Sequence, residues 1–116
     1  MAIASEIIGK LGGADVEVIP VEGEASGPSG SSKVIATIDI PAGEAWLVAA
    51  IGQTTAGSNN STYRPSLYLG NEISSSNPDG VHGLATTATE SISLSIRRNY
   101  SSRTDSFTGH VYTVKL

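Results

Sequence analysis

Several residue types that mark common functional classes are missing or scarce in this 116-residue sequence. It contains no cysteine, which excludes disulfide bonds, thiolate catalysis and zinc sites built on cysteine. The only histidines, His82 and His110, do not form the closely spaced pair typical of a metal site. The sequence therefore predicts neither a metal ion nor another cofactor.

Charge and long apolar runs are scarce as well. Charged residues make up 16% of the chain and the formal net charge is −4, so the basic excess typical of nucleic-acid-binding domains is missing. The longest apolar run, residues 45–51, is much shorter than the roughly 20 residues of a membrane span. The first residues also lack the basic start of a signal peptide. We therefore expect a partner that is neither nucleic acid nor a membrane.

Catalytic motifs are missing too. There is no Gly-x-Ser-x-Gly elbow around any serine, and the glycines match no phosphate-binding pattern. The carboxylates are spread through predicted loops and solvent-facing positions, and no spacing marks a pair for acid–base chemistry. We predict that the protein is not an enzyme.

The strongest positive pattern is a pair of predicted strands in residues 33–54, joined by a tight turn at residues 41–44. In the first strand most apolar residues occupy every second position, as in a half-buried strand. Residues 45–51 are apolar on both faces, which predicts packing on each side or a subunit contact. Trp46, the only tryptophan, is predicted to centre the core.

Further short alternating segments, separated by Gly, Ser, Asn and Pro, continue to the last residue. This spacing predicts an all-β fold, an antiparallel β-sandwich or jelly roll of about seven to eight strands with a short N-terminal helix or arm. The predicted core consists of Trp46, Val48, Ile38, Ile40, Leu69, Ile92, Leu94, Ile96, Val114 and Leu116.

The first eleven residues are the one helical candidate. Their apolar residues recur at helical spacing on one face, namely Ile3, Ile7, Ile8 and Leu11. A helix this short is not stable alone, so we expect it to dock either on its own domain or on another protein or sister subunit. Residues 22–32 are rich in Gly and Ser and predict a flexible linker. We therefore divide the chain into residues 1–32, with the arm, a first strand and the linker, and residues 33–116, the β-sandwich domain.

The only basic cluster consists of Arg97, Arg98 and Arg103, with Tyr100 between them. One interpretation is a solvated loop balanced by Asp105. A second is stacking of the tyrosine and arginine side chains on a base or a sugar. A third is a contact with acidic groups of a protein partner. The predicted partner-binding residues are therefore those of the arm and of this cluster: Ile3, Ile7, Ile8, Leu11, Arg97, Arg98, Tyr100 and Arg103.

Small β-sandwich domains of tailed-phage virion proteins contain a unit in which a strand, Pro-Ala-Gly, an aromatic residue and a second strand follow one another. This sequence resembles that unit over Ile40-Pro41-Ala42-Gly43-Glu44-Ala45-Trp46-Leu47-Val48. Capsid decoration (cement) proteins and head fibres are of this type, and a short apolar arm before a Gly/Ser linker is similar to decoration proteins. The resemblance implies a structural protein made in the host cytoplasm and located on the capsid surface. It would bind the major capsid protein or another virion protein, stabilise the phage head shell and form a homo-oligomer, with a trimer favoured.

A second interpretation is a carbohydrate-binding or adhesion module of a phage tail, or a secreted lectin. Its sugar platform would combine aromatic and amide side chains: Tyr63, Tyr68, Tyr100, Tyr112, Asn59, Asn60 and Asn99. The low aromatic content of 5%, and the position of the only tryptophan in the most apolar strand, speak against this interpretation.

Overall fold

The computed structural model describes residues 16–55, 65–74, 80–99 and 104–116, and the structural statements below concern these residues. They form eight strands: β1 (Val16–Ala25), β2 (Ser32–Ile38), β3 (Trp46–Thr55), β4 (Ser66–Leu69), β5 (Glu72–Ser74), β6 (Val81–Ala88), β7 (Ile92–Arg97) and β8 (Asp105–Lys115). Sheet A has the order β1-β8-β3-β6, sheet B the order β2-β7-β4-β5, and all neighbours are antiparallel. The predicted all-β sandwich is confirmed. The predicted N-terminal helix, Met1 to Leu11, lies outside the described residues.

The strands pair in a nested way. β1 pairs with β8, β2 with β7, β3 with β6 and β4 with β5, and these pairs alternate between the two sheets. Contacts of β3 with β8 and of β4 with β7 then complete each sheet. Such a chain is folded in half at the β4–β5 hairpin and wound around the core, which is the strand arrangement of a jelly roll.

The predicted turn at residues 41–44 forms, but it does not close a hairpin. The Glu44 amide donates to the Pro41 carbonyl at 3.1 Å, and Gly43 has a φ of 82°, which favours glycine. Because β2 lies in sheet B and β3 in sheet A, the turn carries the chain across the sandwich. The alternation of β2 and the two apolar faces of β3 suit either sheet, so the sequence pattern does not distinguish a crossover from a hairpin.

Ile35 is the one residue that breaks the alternation of β2, and a β-bulge between Val34 and Ala36 accounts for it. The bulge lets Ile35 and Ala36 both pack against the core. Ile35 lies over Gly23 of β1, since a Cβ added to Gly23 would be 2.4 Å from Ile35 Cγ2. This contact joins an edge strand of sheet A to an edge strand of sheet B.

The core lies between the sheets and contains most of the predicted residues. Six of these belong to the buried cluster: Ile38, Ile40, Val48, Leu69, Leu94 and Ile96. Trp46 and Ile92 are partly buried against it. Two predictions are wrong: Leu116 is 57% exposed, and Val114, although buried, lies on the other face of sheet A.

The inward face of β8 is the opposite of the predicted one. Phe107 and Val111 belong to the core cluster, whereas Tyr112 and Val114 alternate with them and face outward. Both faces of this strand carry apolar side chains, so alternation alone does not show which face is inside.

Phe107 is the largest fully buried apolar side chain of the described residues, with 1% exposure. It lies against Gly52 of β3 and Gly109 of β8, which face each other across the two central strands of sheet A. A Cβ on Gly52 would be 2.5 Å from Phe107 Cζ, and one on Gly109 would be 2.8 Å from it. Trp46, the predicted centre, lies instead at the edge of the core, where its Nε1 donates to Glu44 Oε1 at 2.9 Å.

β1 is an edge strand of sheet A and is part of the sandwich. It pairs with β8 over all ten of its residues, including residues 22–25 of the predicted linker. Only residues 26–31 connect β1 to β2. A boundary at residue 32 therefore does not separate β1 from the domain that follows.

We predict that Gly52→Ala and Gly109→Ala each lower the free energy of unfolding by roughly 1–3 kcal/mol, because the new methyl group would overlap both the backbone of the facing strand and the Phe107 ring. Gly83→Ala is the matched control, since a Cβ at Gly83 meets nothing within 4 Å. Urea unfolding of the three variants tests this. Equal stabilities of the Gly52→Ala and Gly83→Ala proteins would contradict the prediction.

Candidate functional site

Arg98 follows β7 directly and points into the interior. It is 2% exposed, and its Nε donates to Oδ2 of Asp105, also 2% exposed, at 3.2 Å. Its Nη1 donates to the Gly27 carbonyl. Its backbone amide donates to the Ser31 carbonyl at 2.9 Å, and its carbonyl accepts from the Gly30 amide at 2.7 Å. Arg98 therefore holds the β1–β2 connection to the ends of β7 and β8.

The predicted basic cluster is thus divided by the fold. Arg97 is exposed, and its Nη1 donates to the Tyr68 hydroxyl at 3.3 Å on the outer face of sheet B. Arg98 lies inside the sandwich and offers no surface to a partner. The remaining predicted partner-binding residues lie outside the described part of the chain: Ile3, Ile7, Ile8, Leu11, Tyr100 and Arg103.

His82 forms a second buried polar cluster and is 1% exposed. Its Nε2 lies 2.9 Å from Thr54 Oγ1, and its Nδ1 lies 2.7 Å from Ser74 Oγ. The Thr54 hydroxyl also donates to the Gly80 carbonyl at 3.3 Å. Since Thr54 and His82 belong to sheet A and Ser74 to sheet B, the imidazole bridges the two sheets. Of the two histidines, His82 is buried and His110 is exposed.

The outer face of sheet A carries apolar residues on all four strands. On the solvated face of an antiparallel sheet the residues are normally polar, and along each strand they alternate with the buried apolar residues of the other face. Here β3 contributes Leu47, Ala49 and Ile51 to the outer face. The neighbouring strands add Val16, Val18, Tyr112, Val114, Val81 and Ala85. This accounts for the predicted two-faced character of residues 45–51: one face of β3 packs in the core and the other belongs to the outer face of sheet A.

Exposure divides this outer face into two patches. The open patch consists of Val18, Ile51 and Val81, which are 47%, 46% and 53% exposed. The covered patch consists of Leu47, Ala49 and Val114, which are 7%, 2% and 2% exposed. The open patch has one residue on each of β1, β3 and β6, and Tyr112 and the exposed His110 of β8 lie between Val18 and Ile51.

The outer face of sheet B differs in composition. Its outward positions are mostly polar or amphipathic: Thr37, Tyr68, Ser93, Ser95 and Arg97. Two exposed apolar residues, Val34 and Ile73, lie among them. The two outer faces of the sandwich are therefore chemically different surfaces.

The predicted sugar platform is not brought together by the described residues. Tyr68 lies on the outer face of sheet B, and Tyr112 lies on the outer face of sheet A, on the opposite side of the sandwich. Asn99 Nδ2 donates to Ser66 Oγ at 3.2 Å. The other members lie outside the described residues: Tyr63, Tyr100, Asn59 and Asn60.

Among the described residues, no group of three or more His, Asp or Glu side chains is placed to hold a metal ion. The same residues include no helix of the length and hydropathy needed to cross a membrane. Comparison with known proteins found no match, whether with protein-family models, curated proteins or solved structures.

We predict that Asp105→Asn lowers the free energy of unfolding by about 3–5 kcal/mol, because it leaves the buried Arg98 guanidinium without its counter-charge. Paired controls are the neighbouring arginines: Arg98→Met should destabilise strongly, whereas Arg97→Met should have little effect because Arg97 is exposed. Chemical denaturation measures all three. An Asp105→Asn protein as stable as the wild type would show that the ion pair is not structural.

The two histidines provide a further matched pair. His82→Leu should cost roughly 1–3 kcal/mol, because the hydroxyls of Thr54 and Ser74 lose their buried imidazole partner. His110→Leu should leave stability nearly unchanged, because His110 is exposed. Thermal unfolding of both variants tests the difference, and equal losses would be inconsistent with an inter-sheet role for His82.

Proposed function

We propose that this protein is a structural protein of a tailed-phage virion, a capsid decoration protein that binds the head shell and stabilises it. The observation that carries the proposal is the open patch of sheet A. Its three large apolar side chains are about half exposed, although they lie on a regular sheet face where polar residues would be expected. Covering them with a protein partner removes apolar area from water, at roughly 25 cal/mol per Å².

Two further features support the proposal. The nested strand pairing is that of a jelly roll, an architecture used by viral capsid domains as well as by lectins and cupins. Because such a fold serves several functions, the fold alone does not choose among them. The run from Ile40 to Val48, with its resemblance to virion proteins, favours the capsid assignment.

The mechanism is binding linkage. A decoration protein that binds the assembled shell but not its separated subunits stabilises the shell by the free energy of that binding. Copies arranged on a symmetric lattice also contact one another, so a homo-oligomer, with a trimer favoured, belongs to the proposal. The exposed Arg97 on sheet B offers acidic groups of the major capsid protein, or of another virion protein, a second contact.

The test uses phage heads from the virus that encodes this chain, with the native copies removed. We predict that the purified protein co-sediments with these heads and raises the temperature at which they release DNA. Ile51→Glu should weaken binding by about tenfold or more, because a carboxylate buried at the contact loses its hydration. Thr37→Glu is the control: Thr37 is exposed on the outer face of sheet B beside Ser93, at the opposite end of β7 from Arg97.

Three outcomes would contradict the proposal: failure of the wild type to bind the heads, undiminished binding of Ile51→Glu, or absence of the chain from purified virions by peptide mass spectrometry. A strong glycan-array signal with no head binding would favour the carbohydrate-binding alternative instead. Thermal unfolding of both glutamate variants shows whether a binding defect comes from unfolding.

A further inference from the structure

The edge strands of the two sheets differ in how well they are protected against pairing with another strand. The edges are β1 and β6 in sheet A, and β2 and β5 in sheet B. β1 contains three glutamates and Pro20, which has no amide hydrogen to donate. β2 contains Lys33 and the bulge between Val34 and Ala36, and β5 is only three residues long. Charges, proline, bulges and short length all oppose edge-to-edge pairing, so β1, β2 and β5 are protected.

β6 has none of these protecting features. It contains no proline, lysine, arginine, aspartate or glutamate, and it pairs with β3 over eight residues without a bulge. Residues 83–88 of this strand have no strand on their other side in the described part of the chain. Their hydrogen bonds there are those of the ladder with β3. Because every second residue of a paired strand turns its N–H and C=O away from its partner, residues 83–88 form a free edge that offers unpaired backbone groups.

The side chains of the free edge leave room for another strand. Gly83, Ala85 and Thr87 belong to the outer face of sheet A, and both Gly83 and Thr87 are exposed. A Cβ added at Gly83 would meet nothing within 4 Å. A strand that approaches the free edge on this face therefore meets small, uncharged side chains.

The charges beside the free edge lie at one of its ends. A cavity of about 440 Å³ opens at the Ala88 end, and Glu72 and Glu90 are the charged residues among its described lining. A second β6 in parallel orientation would bring these carboxylates side by side with their counterparts. An antiparallel β6 keeps the two acidic ends apart, so only the antiparallel arrangement avoids like-charge repulsion.

We propose that the free edge pairs with the free edge of a second copy of this chain, antiparallel and about a two-fold axis perpendicular to the sheet. The second copy supplies, by symmetry, a run of unpaired backbone groups of equal length with no charge opposite a charge. The other described edges are protected and do not supply such a run. Sheet A of the two copies then becomes one sheet of eight strands, with both open patches on the same side.

The geometry restricts the register of this pairing. Facing residues must share a face of the sheet, so at the middle of the free edge the two-fold axis passes through Ala85 or Thr86. In the first register Ala85 faces Ala85 of the second copy, and in the second it faces Thr87. The inference does not rest on the proposed function, and its two-chain unit differs from the trimer that the resemblance favours.

Sedimentation equilibrium tests the pairing. At tens of micromolar the wild type should have twice the 11.9 kDa mass of one chain. Ala85→Lys with Thr87→Lys places lysines opposite each other in both registers and should raise the dissociation constant of the dimer about tenfold or more. Ala85→Gln with Thr87→Gln is the control of similar size without charge, and should dimerise at least tenfold more tightly than the lysine protein.

Charge complementation separates lost pairing from lost folding. Ala85→Glu with Thr87→Glu should also be monomeric alone, and mixing it with the lysine protein should restore a two-chain species. Thermal unfolding shows whether each variant is folded. A monomeric wild type, which would leave the free edge for a strand of another protein, overturns the inference. So does a lysine protein as dimeric as the wild type, or a mixture of folded variants that stays monomeric.

Hydrogen exchange of the wild type tests the pairing without any substitution. Amides within residues 83–88 should exchange severalfold more slowly at high protein concentration than at low concentration, because pairing protects them. Amides of β1, the protected edge of the same sheet, should exchange at the same rate at both concentrations. Exchange at residues 83–88 that does not depend on concentration would overturn the inference. None of these measurements uses phage heads, so their failure is distinct from failure of the proposed function.

Discussion

The contact of one phenylalanine ring with two facing glycines determines how the centre of the sandwich is filled. Phe107 occupies space that a side chain at Gly52 or Gly109 would need. Gly23 of β1 pairs with Phe107, and Ile35 likewise occupies the space that a side chain at Gly23 would need. Three strands of sheet A thus present bare backbone to large side chains. The core there is filled by a few large side chains that pack against the backbone of glycines, so even one added methyl group would disturb the packing.

Alternation in the sequence was enough to predict those strands in which only one face is apolar. In β7 the inward residues are isoleucine and leucine and the outward ones are mainly serine, and the structure follows that pattern. The same rule failed for β8, where Val111 and Val114 are both buried on opposite faces. Which apolar face is inside depends on the neighbouring strands, and a local pattern does not contain that information.

Part of the candidate site could also have been read from the sequence. Arg98 continues the inward parity of Leu94 and Ile96, and Asp105 lies only seven residues further on. That parity, rather than the local density of arginines, indicated an interior ion pair. The division of the outer face of sheet A into two patches had no such signal, because alternation places Leu47, Ala49 and Ile51 on one face of β3 without separating their exposures.

The nested pairing has a consequence for how the chain reaches this structure. β4 and β5 are the only described strands that are consecutive in the sequence and also paired in the same sheet. The other pairs join distant parts of the chain, as Val16 with Val114 shows. Domains dominated by such distant pairings fold in roughly milliseconds to seconds, because loop closure is required before the contacts form. During synthesis, β3 emerges well before β6 and β8, its partners on either side. The edge of β3 that pairs with β8 therefore stays open until β8 has been made, which exposes the unfinished chain to self-association.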